Sequence, residues 1–153
     1  MNMQAPVFAG FKGRVVAVTG ATMGIGGMIA EGFAANGATV IICARNAANC
    51  ERVAAEITAI EPGKCIGVPV DLSKREGVAA FADAVKAHTD MLHVLVNCAG
   101  QALIAPIDDY PEAGWDNVMD LNLKAPFFVA QKLLALLRQG ATQEWPSAII
   151  NIS

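Results

Sequence analysis

The sequence predicts an α/β domain built on a doubly wound parallel sheet, and three observations predict it. The strand-like runs are apolar throughout instead of alternating, as strands covered on both faces are. Segments of helical period separate them. The connections are short and marked by Gly, Pro and Asn. Strands and helices in strict alternation over short crossovers pair in parallel with right-handed connections.

Each element follows in order. Val15 to Thr19 (VVAVT) is a β-branched run that ends in Gly20, and from Gly24 onward Ile25, Met28, Ile29 and Phe33 recur at helical spacing. Asn36-Gly37 stops that helix, after which Ala38 to Cys43 (ATVIIC) is a second buried strand. Val53, Ile57 and Ile60 form the stripe of a second helix closed by Pro62-Gly63, and Cys65 to Val70 is a third strand. Val78, Phe81, Ala82 and Val85 mark a third helix, and Leu92 to Val96 (LHVLV) a fourth strand running into Asn97-Cys98-Ala99-Gly100. Glu112 to about Gln139 is helical with an interruption at Pro126, and Ala148 to Ile152 is a fifth strand. There is no internal repeat, linker or low-complexity tract.

Composition narrows the function. The 153 residues suit a single domain with a real core, and 54% hydrophobic against 16% charged residues fits a sheet buried on both sides. Eleven basic against fourteen acidic residues give a net charge of −3 without a Lys/Arg cluster, which excludes a phosphate-neutralising, nucleic-acid-binding surface. No apolar run spans a bilayer and no leader pattern of basic flank, apolar stretch and small-residue cleavage site opens the chain, so a cytoplasmic protein without a membrane partner is expected. Cys43, Cys50, Cys65 and Cys98 form neither a CxxC pair nor metal-ligand spacing, and read as packing thiols; no metal is expected. His88 and His93 read as a helix-end and a strand-edge side chain.

The first strand-to-helix turn is Thr19-Gly20-Ala21-Thr22-Met23-Gly24-Ile25-Gly26. Glycines there permit a tight turn and a close backbone approach to a pyrophosphate, which the N–H groups and positive dipole end of the next helix bind. A glycine turn needed only for packing, or a methyltransferase loop for S-adenosylmethionine, would read the same way. The end of the second strand separates these readings. Where a fold selecting an unphosphorylated dinucleotide carries an acid, about 20 residues past the glycines, this chain has Ala44-Arg45. A guanidinium there pairs with a ribose 2′-phosphate, the alternative being a surface arginine with no ligand.

Three motifs in order, the TGxxxGIG of Thr19 to Gly26, the Asp71-Leu72 pair after the third strand and Asn97-Cys98-Ala99-Gly100 after the fourth, resemble the short-chain dehydrogenase/reductase family over essentially the whole chain. Within it, IICARNAANC and YPEAGWDNVMDLNLKAPF look most like bacterial rhamnolipid-pathway 3-oxoacyl reductases. The resemblance implies a Rossmann-type dinucleotide-binding domain over residues 1–153, incomplete at its C-terminus, and NADP as cofactor. It places Gly20, Thr22, Met23, Gly24, Ile25 and Gly26 under the pyrophosphate, Arg45 at the 2′-phosphate, Asp71 and Leu72 at the adenine, and Asn97, Ala99 and Gly100 beside the ribose and nicotinamide. Two positions depart from the pattern. Met23 stands where phosphate-preferring members often carry a basic residue, and Cys98 replaces the more usual second asparagine.

Asn122 matches the family's helix asparagine, whose backbone carbonyl holds a water in a proton relay. Proline chemistry supports this independently: Pro126 has no N–H to bond the carbonyl of residue 122, and its ring pushes that carbonyl away. A simple kink, or a helix restart with Pro at its first position, fits equally. By the family's N-x-(S/G)-S pattern, Ser153 precedes the catalytic serine. Tyr110 does not open a Tyr-x-x-x-Lys pair, since residue 114 is Gly. Two functions stand side by side: an oxidoreductase moving hydride between NADP(H) and a carbonyl or secondary alcohol, possibly 3-oxoacyl, with 153 residues inactive alone; or a non-catalytic nucleotide-binding or dimerising fragment. The resemblance also implies a homo-oligomer, dimer or tetramer, at full length.

Overall fold

The computed structural model describes residues 10–60 and 62–153; residues 1–9, where a leader would lie, and Glu61 fall outside the description. Five strands, β1 (Val15–Thr19), β2 (Thr39–Ala44), β3 (Lys64–Pro69), β4 (Val94–Asn97) and β5 (Ala148–Asn151), form one parallel sheet in the order β3-β2-β1-β4-β5. Helices α1 (Gly24–Ala35), α2 (Ala47–Thr58), α3 (Arg75–His88), α4 (Glu112–Met119) and α5 (Ala125–Gly140) supply the crossovers. No described helix is long and apolar enough to cross a membrane.

The two faces of the sheet explain the unbroken apolar runs. Side chains alternate along a strand, but both sets are buried here. Val16, Val18, Val40, Ile42 and Val96 pack with α1 and α2, while Ala17, Ile41 and Leu95 pack on the other side with Phe81 of α3 and Leu133 of α5. Strand order reverses between β1 and β4, both pairing in parallel with their neighbours, so a crevice opens at the carboxyl ends of these two strands.

The third-helix stripe is buried as expected, Val78, Phe81, Ala82 and Val85 all facing the core. The α1 face is different. Ile25 and Met28 are 55% and 64% exposed, and the buried residues are Gly26, Gly27, Ala30 and Ala34. Small residues let the helix lie close to the sheet, and a close approach is worth more there than large side chains. Ile60, expected to extend the α2 stripe, lies beyond that helix and is exposed; Cys50 and Ala54 complete the buried face instead.

Pro126 does not break its helix. The backbone ladder widens to i→i+5 over a π segment, Asp120–Lys124, with the Ala125 N–H donating to the Asp120 carbonyl, and then α5 begins. Pro126 sits in the first turn of α5, where a missing N–H is tolerated. The missing N–H of the proline thus falls where the ladder has already widened, as at π-bulges.

Candidate functional site

At the switch point the chain is held by one buried hydroxyl. Thr19, the last residue of β1, is 2% exposed, and its Oγ1 accepts the N–H groups of Cys98 and Ala99, both at 3.0 Å. This ties the end of β1 to the turn after β4 and brings the two backbones together. Gly20 follows in a left-handed conformation, φ +68°, and a Cβ built there would lie 2.6 Å from Ala99 Cα. A Cβ on Gly26 would lie 2.5 Å from the Gly20 carbonyl oxygen, so α1 can start this close to the loop only with glycine. The residue before α1, Met23, is extended and offers no side-chain cap, and the first turn of α1 holds no acid. The leading N–H groups and the positive end of α1 therefore face the crevice ready for an anion.

A cavity of about 510 Å³ occupies this crevice. Its walls contain Gly20, Thr22, Met23, Ile25 and Gly26 from the loop, Arg45 after β2, Asp71 and Leu72 after β3, and Ala99 and Gly100 after β4. Gly24, with φ +58°, opens α1 just behind that wall. The charged groups lining the cavity are Arg45 and Asp71. Burial on its own would raise the Asp71 carboxyl. Its Oδ1 accepts the hydroxyl and N–H of Ser73 at 2.8 and 3.0 Å, and these bonds, with the nearby charges of Arg45 and Lys74, hold it below the usual carboxylate range. At neutral pH the crevice carries a carboxylate beside a guanidinium. Asn46 caps α2 by accepting the Asn49 N–H at 2.9 Å, and both asparagines line the wall next to Arg45.

Asn97 and Asn122 lie elsewhere. They face an adjoining cavity of about 540 Å³ that shares Ala99, Gly100 and Ile152 with the first and includes Asn151 and Ser153. Asn97 is 4% exposed; its Nδ2 donates to Asn151 Oδ1 at 2.9 Å, and its own Oδ1 has no partner among the described residues. The Asn122 side chain is fully engaged with the backbone of Gln101, accepting its N–H at 2.9 Å and donating to its carbonyl at 2.8 Å. Gln101 Nε2 donates in turn to the Asn117 carbonyl at 2.7 Å. The turn after β4 is thus pinned to the helix that carries the π segment.

Burial raises every thiol: Cys43 far above the ordinary range, Cys65 to about 12, and Cys50 and Cys98 in the same direction. All four are free and neutral at physiological pH, as packing residues are. His93 accepts the Val15 N–H on Nδ1 at 3.0 Å, at the strand edge where it was expected. No group of His, Cys, Asp and Glu among the described residues is arranged to hold a metal ion. Thr19, Gln101 and Asn151 carry structural work at the site that sequence reasoning did not assign. The one available signal was Thr19 itself, a hydroxyl closing an otherwise apolar strand.

A parallel sheet reversing order at a glycine-lined crevice, with an uncapped helix end pointing into it, defines a Rossmann-type domain. The chain belongs to the short-chain dehydrogenase family, whose model matches residues 14–153. It is 43% identical over 147 residues to the rhamnolipids biosynthesis 3-oxoacyl-[acyl-carrier-protein] reductase of Pseudomonas aeruginosa, covering 96% of this chain and 56% of that protein. It is 36% identical over 118 residues to the NAD-dependent glycerol dehydrogenase of Listeria innocua, covering 77% of this chain and 45% of the relative. Among solved structures, the NADP active-site complex of Pseudomonas aeruginosa RhlG superposes with a TM-score of 0.88 at 42% identity, over 93% of this chain and 55% of that one. The chain thus spans about half the length of the relatives it matches.

Proposed function

We propose that this chain is the cofactor-binding part of an NADP(H)-dependent short-chain dehydrogenase/reductase acting on a carbonyl or secondary alcohol, with a 3-oxoacyl compound as the favoured substrate class. The observation that carries the reading is Arg45: a guanidinium after β2, with alanine and no acid before it, in the same cavity as the glycine loop. The two relatives named above differ in cofactor, one solved with NADP and one NAD-dependent by name, so the end of β2 is where this chain must choose.

The residues present fit a dinucleotide. The glycine loop and the α1 N-terminus would hold the pyrophosphate, Arg45 the 2′-phosphate, Asp71 and Leu72 the adenine, and Ala99 and Gly100 the path toward the nicotinamide. When bound, the cofactor supplies hydride chemistry. Asn97 and Asn122 border the adjoining cavity, which makes it the place for substrate. Asn122 commits its side chain to Gln101 and leaves its backbone carbonyl for a proton-relay water, the role that membership of the family suggests. Tyr110 is not followed by lysine four residues later, so this chain alone should bind cofactor without turnover.

Titration with NADPH and NADH tests the reading. NADPH should bind more tightly by one to two decades, since a charge-assisted pair contributes about 1.5–3 kcal/mol. Met23 adds no second charge, so the preference should sit at the lower end and shrink as salt rises. Arg45→Ala should abolish most of it, and a parent preferring NADH, or turnover of a 3-oxoacyl thioester by 1–153, sinks the proposal.

The α4 and α5 helices and the π segment between them expose Trp115, Leu123, Phe127 and Leu134. This apolar face supports assembly into a homo-oligomer, and free thiols suit a cytoplasmic setting. Light scattering should return a dimer or larger; a strict monomer at tens of micromolar overturns it.

A further inference from the structure

A third cavity, of about 410 Å³, lies between the start of α3 and the π segment with the first turns of α5. It is separate from the cofactor crevice, although Leu72 contributes to the walls of both. Its volume is in the range of about 300–1,000 Å³ typical of small-ligand sites. Its floor is apolar: Leu72, Val78 and Ala125 are almost fully buried, and Phe128 is 38% exposed at the edge.

The polar lining is strongly one-signed. Lys74, Arg75, Lys124 and Lys132 surround it with Asp120 as the sole acid. Lys124 is paired to Asp120 at 2.9 Å. Lys74, Arg75 and Lys132 form no ion pair among the described residues. Three cations outside any close ion pair, Lys74 among them near enough to Asp71 to lower its carboxyl, therefore gather around one apolar hollow in a chain whose net charge is −3. Two of them work against local stability. Lys74 is the N-cap residue of α3 and Arg75 its first residue, so both stand at the positive end of the helix dipole, where cations are disfavoured. Glu76 in the same turn offsets part of that charge, and an anionic occupant would offset the rest together with the helix end.

We propose that this cavity is a second binding site, distinct from the cofactor crevice, for a small amphiphilic anion: an alkyl or acyl chain on Leu72, Val78, Ala125 and Phe128, with its carboxylate toward Lys74, Arg75 and Lys132. The shared Leu72 places an occupant directly behind the wall that the adenine would use. The site does not depend on the chain being a reductase.

Calorimetric titration of the 153-residue chain with octanoate, octan-1-ol and octyltrimethylammonium, each with and without saturating NADP+, tests it. Octanoate should bind at least about tenfold more tightly than the alcohol or the cation, more weakly as salt rises, and without displacement by NADP+. Lys132→Glu, an exposed position, should lower octanoate affinity about tenfold. Phe128→Ala should lower it for octanoate and octanol alike. Both variants should bind NADP+ as the parent does. Equal affinity for the three amphiphiles, displacement by NADP+, or indifference to both substitutions would overturn the proposal. So would octanoate binding that disappears as the chain dimerises, since a second copy would then be the occupant. Failure of NADP+ to bind while octanoate behaves as described would count against the cofactor reading alone.

Discussion

The two halves of the crevice are built differently. On the β1–β2–β3 side, several polar and turn groups of the wall are positioned by residues close to them in sequence: Asp71 by Ser73, Asn46 by Asn49, Gly26 by the Gly20 turn. On the β4–β5 side, positioning depends on distant partners, Asn97 on Asn151 and Asn122 on Gln101. That side also retains a buried amide oxygen without a partner and apolar side chains on β5, Ile149 and Ile150, that are 45% and 40% exposed. The contrast is one of contact range: several groups on the first side are held by bonds within one turn of chain, whereas the second side is assembled from pieces far apart.

The largest effect should come from the joint between the halves. Gly20→Val places a β-branched residue at φ +68°, a strain of about 1–3 kcal/mol by itself, and drives its Cβ into Ala99. Denaturation should show a loss at the upper end of that range or beyond, with NADPH affinity lost as well. An unchanged unfolding midpoint would mean that the two backbones are not in contact. A smaller loss is expected on the reactive side. Asn151→Leu removes the acceptor of Asn97 and should cost about 1–3 kcal/mol, since the amide is then wholly unpaired. Adding Asn97→Leu should recover part of it; a double variant no better than the single would show that this amide is satisfied elsewhere.

The smallest effect concerns pH and sharpens the local side. The folded Asp71 carboxyl titrates below its unfolded value of 3.8, so the unfolded chain binds more protons between the two values and stability rises with pH across that window. The contribution is complete above the unfolded value and is lost as pH falls through the folded one. Ser73→Ala, which deletes the hydroxyl bond at 2.8 Å, should flatten the acid limb of the stability–pH profile by lowering stability at neutral pH, the variant and parent converging as pH falls through the folded value. An acid limb of the same steepness would assign the shift to the backbone N–H of residue 73 and the charges of Arg45 and Lys74 instead.

Much of this division was legible in the sequence. The strands of β1, β2 and β4 stand out because burial on both faces leaves no polar positions to blur them. Arg45, Asp71, Leu72, Ala99 and Gly100 were findable because each follows the carboxyl end of a strand, and parallel pairing brings all those ends to one crevice. The packing face of α1 was legible only in part: Ile29 and Phe33 pack against the core as expected, but Gly26, Gly27, Ala30 and Ala34 carry little hydrophobic signal, and the larger Ile25 and Met28 point outward. The Thr19 tie was not legible, because a hydroxyl bonding N–H groups 79 and 80 residues away leaves no periodicity to read. Pro126 signalled a disturbed helix correctly, but a widened turn and a kink have the same sequence signature.

The central position of β1 also has a kinetic meaning. Among the described residues it is the earliest strand in the chain, and β2 and β3 add on one side of it after short crossovers. Its other edge must wait for β4, whose adjoining His93 meets Val15 across 78 residues. Closing the longer loop costs more chain entropy before any contact rewards it. Pairing at that edge waits on contacts of long sequence separation, since the Thr19 hydroxyl meets its two N–H partners only where the turn after β4 lies against the end of β1. In refolding followed by pulsed hydrogen exchange, the β1–β2–β3 wall should gain protection before the turn after β4; the reverse order would overturn this.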